Sequence, residues 1–197
     1  NVMKVGLAGG TLAYRNHRLS LNRTGVFEDA WLDLDYSPVY DDGGVPAGVL
    51  AIVVETTEAV TAERALRESE ARLRFLDALD RETARATDPA EILEITTRML
   101  AIELGASNCA YADMDADEDG FTIRGEWVRE GSPSILGHHR LADFGALAVR
   151  ELGAARPPVI NDNLAELPPH EAATFQSIGI AATMCMPLVK DGRLIAL

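Results

Sequence analysis

Leu34-Asp35-Tyr36-Ser37-Pro38-Val39, then Asp41-Asp42-Gly43-Gly44, then Val49-Leu50-Ala51-Ile52-Val53-Val54-Glu55-Thr56-Thr57 is the stretch that decides the fold. It reads as two antiparallel strands joined by a turn, the second running straight into a long charged helix from Glu58. In the first strand Ala30, Leu32, Leu34 and Tyr36 alternate with Trp31, Asp33 and Asp35, a period of two with one wet face. Asp41 to Gly44 supplies residues that tolerate positive φ in a hairpin loop. The second run is apolar on both faces, the pattern of a buried strand. A strand that ends in a stiff helix can pass a change in the sheet to whatever lies downstream, which suits a sensor better than an enzyme.

Working outward, Val2 to Gly9 reads as a short helix, Thr11 to Arg23 as a strand, Gly25 to Tyr40 as a second and Val45 to Glu55 as the third. Glu58 to about Ala84 is rich in Ala, Glu, Arg and Leu and holds no Gly or Pro, so a long helix is expected. Ala59, Leu66 and Leu73 recur every seven residues, as do Ala62, Ser69 and Leu76. That spacing predicts the seam of a two-stranded parallel coiled coil; an amphipathic helix lying on a neighbouring domain is the alternative. Asp88 as N-cap, Pro89 at the first helical position and Glu91 in a capping box open another helix, which Gly105 ends. Ile92, Ile95, Met99 and Ile102 form its apolar stripe.

Beyond Ser107 the pattern turns to strands. Asn108–Met114 and Phe121–Val128 flank an acidic turn as a hairpin. Phe144–Leu152 reads as a helix stopped by Gly153, Pro157–Ile160 as a short strand and His170–Ser177 as a helix. Ile180–Val189, the turn Lys190-Asp191-Gly192 and Leu194–Leu197 make a closing hairpin. The fold class is α+β: a partial antiparallel sheet, a long linker helix, and a second antiparallel sheet flanked by helices.

Composition narrows the function. A 197-residue chain that is 47% hydrophobic can build one or two globular cores. A formal net charge of -13 argues against nucleic acid and anionic membranes, whose phosphates it would repel. No apolar run approaches the roughly 20 residues that span a bilayer. The two cysteines form no metal motif and no disulfide framework, so a reducing, cytoplasmic setting is expected. No nucleophile elbow, P-loop or His-Glu-x-x-His occurs, and none of His17, His138, His139 and His170 has the helical context of a phosphoacceptor. No catalytic residue is assigned within the chain.

Three constellations bear on chemistry. Asp115, Asp117, Asp119, Gly120 and Glu126 satisfy the spacing of a calcium-binding helix–loop–helix. The flanks read as strands, however, and the usually aliphatic eighth position is Thr122, so an acidic solvated turn and no metal are expected. Cys109 and Cys185 lie on expected core strands with no neighbouring Lys or Arg to lower a thiol pKa, so small buried apolar residues are the expectation. His138 and His139, adjacent on a strand, would point to opposite faces and could not readily share a metal.

Residues Val2 to Leu66 resemble the C-terminal half of a PAS domain of bacterial sensor histidine kinases. The resemblance rests on the Ser37-Pro38 segment, the Asp41–Gly44 turn, the Gly48-Val49 strand and the acidic-Thr element Glu55-Thr56-Thr57 where the exit helix starts. The front half of such a domain is not represented, and Asn1 in place of an initiator Met fits a piece of a larger protein. The later part resembles a GAF domain through Gly105-Ala106, Ile178-Gly179-Ile180 and the hairpin Pro187-Leu188-Val189-Lys190-Asp191-Gly192-Arg193-Leu194. The expected division is 1–57 PAS half, 58–86 linker helix and 87–197 GAF domain lacking its last elements.

The resemblance implies a non-catalytic sensory segment of a two-component histidine kinase. It would bind a small ligand or a partner and relay the event through a homodimeric linker helix with a seam of Ala59, Ala62, Leu66, Leu73 and Leu76. Its partners would be a kinase core later in the same polypeptide and a response regulator. The implied ligand pocket lies between sheet and connecting segment, with Tyr111, Trp127, His139, Asp143, Phe144, Phe175 and Met184 as lining. No cofactor is assigned. Bilin attachment in phytochrome GAF domains uses a Cys-His pair or an upstream cysteine with Asp-Ile-Pro, where this chain has Leu141-Ala142-Asp143-Phe144. The alternatives are a thiol redox enzyme of the free-methionine sulfoxide reductase kind, the sensor segment of a diguanylate cyclase or transcriptional activator, and a ligand-free dimerisation scaffold.

Overall fold

The computed structural model describes residues 1–23 and 25–197. The chain forms two compact units, Asn1–Arg74 and Phe75–Leu197. It is a mixed α+β structure with antiparallel sheets.

In the first unit α1 (Val2–Gly6) precedes three antiparallel strands in the order β1-β2-β3: β1 (Leu12–Asn22), β2 (Phe27–Tyr40) and β3 (Pro46–Glu55). The alternation read from β2 holds: Ala30, Leu32 and Leu34 are buried. The β2–β3 turn closes as its residues dictate. Asp41 accepts hydrogen bonds from the Gly43 and Val45 amides at 2.9 Å each, and Gly44 has φ +76°.

The expectation of a buried β3 does not hold. Leu50, Ile52, Val53 and Val54 are each more than half exposed. The reason is cover: Ile52 and Val53 point to opposite faces and are both exposed, so neither face of this edge strand is covered there. Apolar content reported β-propensity here, not depth.

β1 departs from its ladder at one place. Tyr14 pairs with Leu34 and His17 with Leu32, so Arg15 and Asn16 together oppose Asp33. Asn16 adopts φ +47°, a left-handed conformation that Asn tolerates better than most residues. At the other end of the sheet β3 runs directly into α2 (Thr57–Thr83), 27 residues long, with no buried residue. Glu63–Arg67, Glu70–Arg74 and Asp77–Arg81 are ion pairs four residues apart along it, each with the acid N-terminal, the better orientation. Leu66 and Leu73 are 60% and 62% exposed, so the seven-residue stripe is bare along the helix.

In the second unit α3 (Pro89–Leu104) starts as its sequence dictates: Asp88 accepts a hydrogen bond from the Ala90 amide at 3.0 Å, and Gly105 ends it in the left-handed region. Arg129 donates to the carbonyls of Gly105 and Ala106 just beyond, at 2.8 and 3.0 Å. The face that packs is not the isoleucine stripe. Thr97 and Ala101 are buried, whereas Ile102 is mostly exposed. Small residues win because the helix approaches the sheet closely: a Cβ on Gly125 would meet the Leu93 Cβ at 3.2 Å.

The five-stranded sheet has the order β6-β5-β4-β10-β9, from β4 (Asn108–Met114), β5 (Gly120–Val128), β6 (Gly137–Arg140), β9 (Leu188–Lys190) and β10 (Arg193–Ala196). The single strand expected over Ile180–Val189 is broken. β8 (Thr183–Met184) pairs with β7 (Val159–Ile160) as a separate ribbon, and β9 begins only after Pro187, which cannot donate to a ladder. Between β6 and β8 the chain makes a 3-10 turn (Leu141–Phe144), α4 (Ala146–Gly153), α5 (Asn163–Glu166) and α6 (Pro169–Ser177). The helix expected over Phe144–Leu152 is thus split at Gly145, whose φ of 98° no helix accommodates. Ala112, Phe121, Leu141, Ala148, Leu152 and Leu194 form the core on that side of the sheet.

Candidate functional site

Strand alternation sorts the candidate residues. Ala112 and Phe121 face the core beneath the connecting segment, and His139, paired with Phe121, lies on that same face. A bulge interrupts β5 between the pairs Ala112↔Ile123 and Tyr111↔Gly125, and Gly125 abuts Leu93 of α3. Tyr111 and Trp127 therefore face α3, on the opposite side from His139 and Phe144. Met184 is mostly exposed on the β7–β8 ribbon, and Asp143 is exposed on the 3-10 turn. The seven expected lining residues are thus not one pocket. Alternation along β4 turns Tyr111 away from the core-facing Ala112, and the bulge does the same for Trp127 by reversing which side of β5 a position beyond Arg124 occupies.

Three of them do converge, together with Phe121, whose place the sequence pattern had not signalled. The His139 ring stacks on Phe121 at 5.5 Å between centroids and meets Phe144 edge-on at 6.1 Å. Phe144 in turn lies 5.8 Å from Phe121 and 5.2 Å from Phe175. His139 Nε2 lies 3.0 Å from the Ile135 carbonyl, which assigns it the proton. Edge-to-face contacts of this kind hold aromatic rings about as well packed as any core. Phe144 belongs to this cluster and also touches the second core of Ile160, Leu167, Ala172 and Phe175, so it joins the sheet to α6.

Beside this cluster sits a buried carboxylate, Glu171, which accepts a hydrogen bond from the Ala146 amide at 3.2 Å. It serves as the N-terminal cap that α4 lacks, since Gly145 has no side chain to supply one. Neither residue stood out in the sequence; the Gly after Phe144 inside an apolar run was the available signal. A shallow cleft of about 210 Å³ lies nearby, lined by Asp162, Asn163, Leu164, Gln176, Gly179, Ile180 and Ala181.

The acidic turn is spent on internal bonds. Asp117 accepts from the Asp119 and Gly120 amides, which hold its carboxyl below the usual range. Asp119 accepts from the Ala142 amide at 2.8 Å and pairs with Arg140 at 2.7 Å, which lower its pKa in that order. Asp115 meets His138 at 2.9 Å, on the other side of β6 from His139, and Glu118 pairs with Arg193 at 3.2 Å. Glu126, the twelfth position, accepts from the Ile135 amide. Among the described residues no group of three His, Cys, Asp or Glu side chains is placed to hold a metal ion. The turn is a clasp tying the β4–β5 hairpin to β6 and β10.

Both cysteines are free. They do not sit on adjacent strands: Cys109 is on β4 with Tyr111 facing α3, while Cys185 follows β8 and packs against the opposite core. Burial pushes the Cys109 thiol up and the Cys185 thiol up to about 11. Both stay protonated at neutral pH, the reverse of an activated thiol. Alkylation of Cys185 in the folded protein is expected to run about a hundredfold slower than that of an unperturbed cysteine, measured by mass spectrometry at pH 8. Equal rates for both, or methionine sulfoxide turnover, would reinstate a redox site.

The comparisons with known proteins add the family. The GAF domain model matches residues 88–197, more than half of the chain. No curated protein matches. Among solved structures, the chromophore-binding domain of a bacteriophytochrome from R. palustris is similar at TM-score 0.56 and 15% identity, over 92% of this chain and 64% of that one. That of a Stigmatella aurantiaca bacteriophytochrome gives 0.53 and 17% over 92% and 64%. A phycoerythrobilin-bound GAF domain from a cyanobacterial phytochrome gives 0.53 and 15% over 62% and 76%. The chain spans just under two thirds of the two bacteriophytochrome domains. At these identities the likeness is one of fold. Among the described residues no helix is long and apolar enough to cross a membrane.

Proposed function

The chain belongs to the GAF domain family through residues 88–197, and on that premise we propose that it is the regulatory segment of a cytoplasmic sensor histidine kinase. In this reading residues 1–57 are the C-terminal half of a PAS domain, 58–86 the relay helix and 87–197 the GAF domain. The relay helix dimerises through Ala59, Ala62, Leu66, Leu73 and Leu76 and biases a kinase core that phosphorylates a response regulator. The observation that carries the reading is α2: it continues β3 without a break, and its seven-residue apolar stripe is bare. An exposed stripe of Leu at that spacing needs a partner, and a second copy supplies an identical one.

The signal enters through the GAF domain as a small ligand or a protein partner. His139, Phe144 and Phe175 are the residues that converge where a ligand would act; Tyr111, Trp127, Asp143 and Met184 are set aside. A bilin, as in the cyanobacterial relative, does not fit these residues. Neither thiol is activated for attachment, and the rings of Phe121, His139, Phe144 and Phe175 already touch where such a group would have to enter. That filled cluster favours a second reading, a GAF domain that acts as a ligand-free dimerisation scaffold.

Analytical ultracentrifugation tests the relay. Wild type is expected to dimerise in the micromolar range, and Leu73→Glu to weaken that association at least about tenfold by placing a charge in the seam. A monomeric wild type, or a variant that sediments unchanged, overturns the dimeric relay.

A further inference from the structure

The bulge in β1 and the start of α2 are tied together across the middle strand. Asn16, left-handed at φ +47°, donates its amide to Asp33 Oδ1 at 2.7 Å. Its side-chain oxygen accepts a hydrogen bond from the Thr56 hydroxyl at 2.8 Å. β1 and β3 are not neighbours in the sheet, so this side chain bridges over β2 from one edge to the helix exit.

Trp31 of β2 completes the arrangement. Its carbonyl accepts from the Thr56 amide at 2.8 Å, and its amide donates to Thr57 Oγ1 at 3.0 Å. About two turns later the Arg64 guanidinium lies 4.8 Å from the Trp31 ring centroid, a cation–π contact. Thr57 donates to Glu55 Oε1 at 2.9 Å, and Glu55 pairs with Arg23 at 2.8 Å.

We propose that Asn16, Trp31, Thr56 and Arg64 form a latch that fixes the direction in which α2 leaves the sheet. Opening the latch is the step that passes a change in sheet twist to the helix. This rests on the relay reading above. The physical basis is that all three strands report at one two-residue junction. Two of the four contacts, Asn16 to Thr56 and Arg64 to Trp31, contribute nothing to the sheet ladder. They can therefore break while the sheet stays paired, which a switch requires and a purely structural contact does not.

The test compares amide hydrogen exchange in the full chain for wild type, Asn16→Gly, Arg64→Ala and the double variant. Gly keeps the left-handed backbone at position 16 and removes only the side-chain acceptor, so folding is preserved. Exchange at the Thr56 and Val60 amides is expected to rise about tenfold in the double variant, while amides of the β1–β2 ladder change less than about twofold. Unchanged exchange at Thr56 and Val60, or a rise spread evenly over the sheet, overturns the latch. Sedimentation of the same samples separates the two ideas: a monomeric wild type with the expected exchange pattern fails the dimeric relay and leaves the latch standing.

Discussion

Gly145→Ala is expected to lower the melting temperature of the protein by ~10 °C or more. Two costs add. The backbone at Gly145 has φ +98° and ψ 171°, a region nearly closed to any residue with a Cβ and costing about 1–3 kcal/mol. A Cβ there would also fall 2.1 Å from Cδ of Glu171, so the carboxylate would be driven off the Ala146 amide. Losing that cap costs about another 1 kcal/mol. The helix α4 begins here, and its Ala148 and Leu152 are part of the main core, so displacement is not confined to the surface. Glu171→Ala removes the cap alone and should cost far less. The double variant should lose less than the two single losses added together, because the overlap is gone while the backbone strain remains. A Gly145→Ala protein melting within about 2 °C of wild type would show that neither the strain nor the clash is real.

Phe175→Ala is expected to cost about 3–5 kcal/mol, the range for removing a buried aromatic. Phe175 is 5% exposed and packs among Ile160, Leu167 and Ala172, with its ring against Phe144. With a urea slope of about 1–3 kcal/mol per molar, the unfolding midpoint should fall by more than about 1 M. The cavity left is apolar, so it should stay dry and take a small apolar probe such as benzene, with a measurable rise in melting temperature. A loss under about 1 kcal/mol would mean that the site collapses freely, and that the four-ring cluster is loose enough to admit a ligand in the native protein.

What was legible in the chain was what depends on neighbours in sequence. The alternation of Ala30, Leu32 and Leu34, the Asp41–Gly44 turn, the Asp88 cap and the Gly105 stop all follow from local rules, and each appears in the structure. So does the opposite facing of His138 and His139, since alternation along a strand needs no tertiary information. Of the candidate lining residues, His139, Phe144 and Phe175 meet, but as a packed aromatic cluster, and Tyr111 and Trp127 lie on the other face of the sheet. Tyr111 lies on the far face by plain alternation with Ala112 on β4, but Trp127 is put there by a single extra residue in β5, at Arg124, and no pattern of apolar residues marks a bulge.

The sequence by itself therefore determined the elements from α1 to β5, the long uninterrupted exit helix with its seven-residue stripe, and the GAF character of residues 88–197. Only the tertiary structure decided depth and partnership. It left the apolar β3 at an edge, turned α3 on Thr97 and Ala101 instead of its isoleucines, and broke one apolar run into β8 and β9. It also brought Glu171 to the end of a helix 25 residues earlier in the chain. The physical reason is the same in each case. Hydrogen bonding and periodicity are set by the residues adjacent along the chain, but burial depends on which other surface arrives, and that is a property of the whole packed unit.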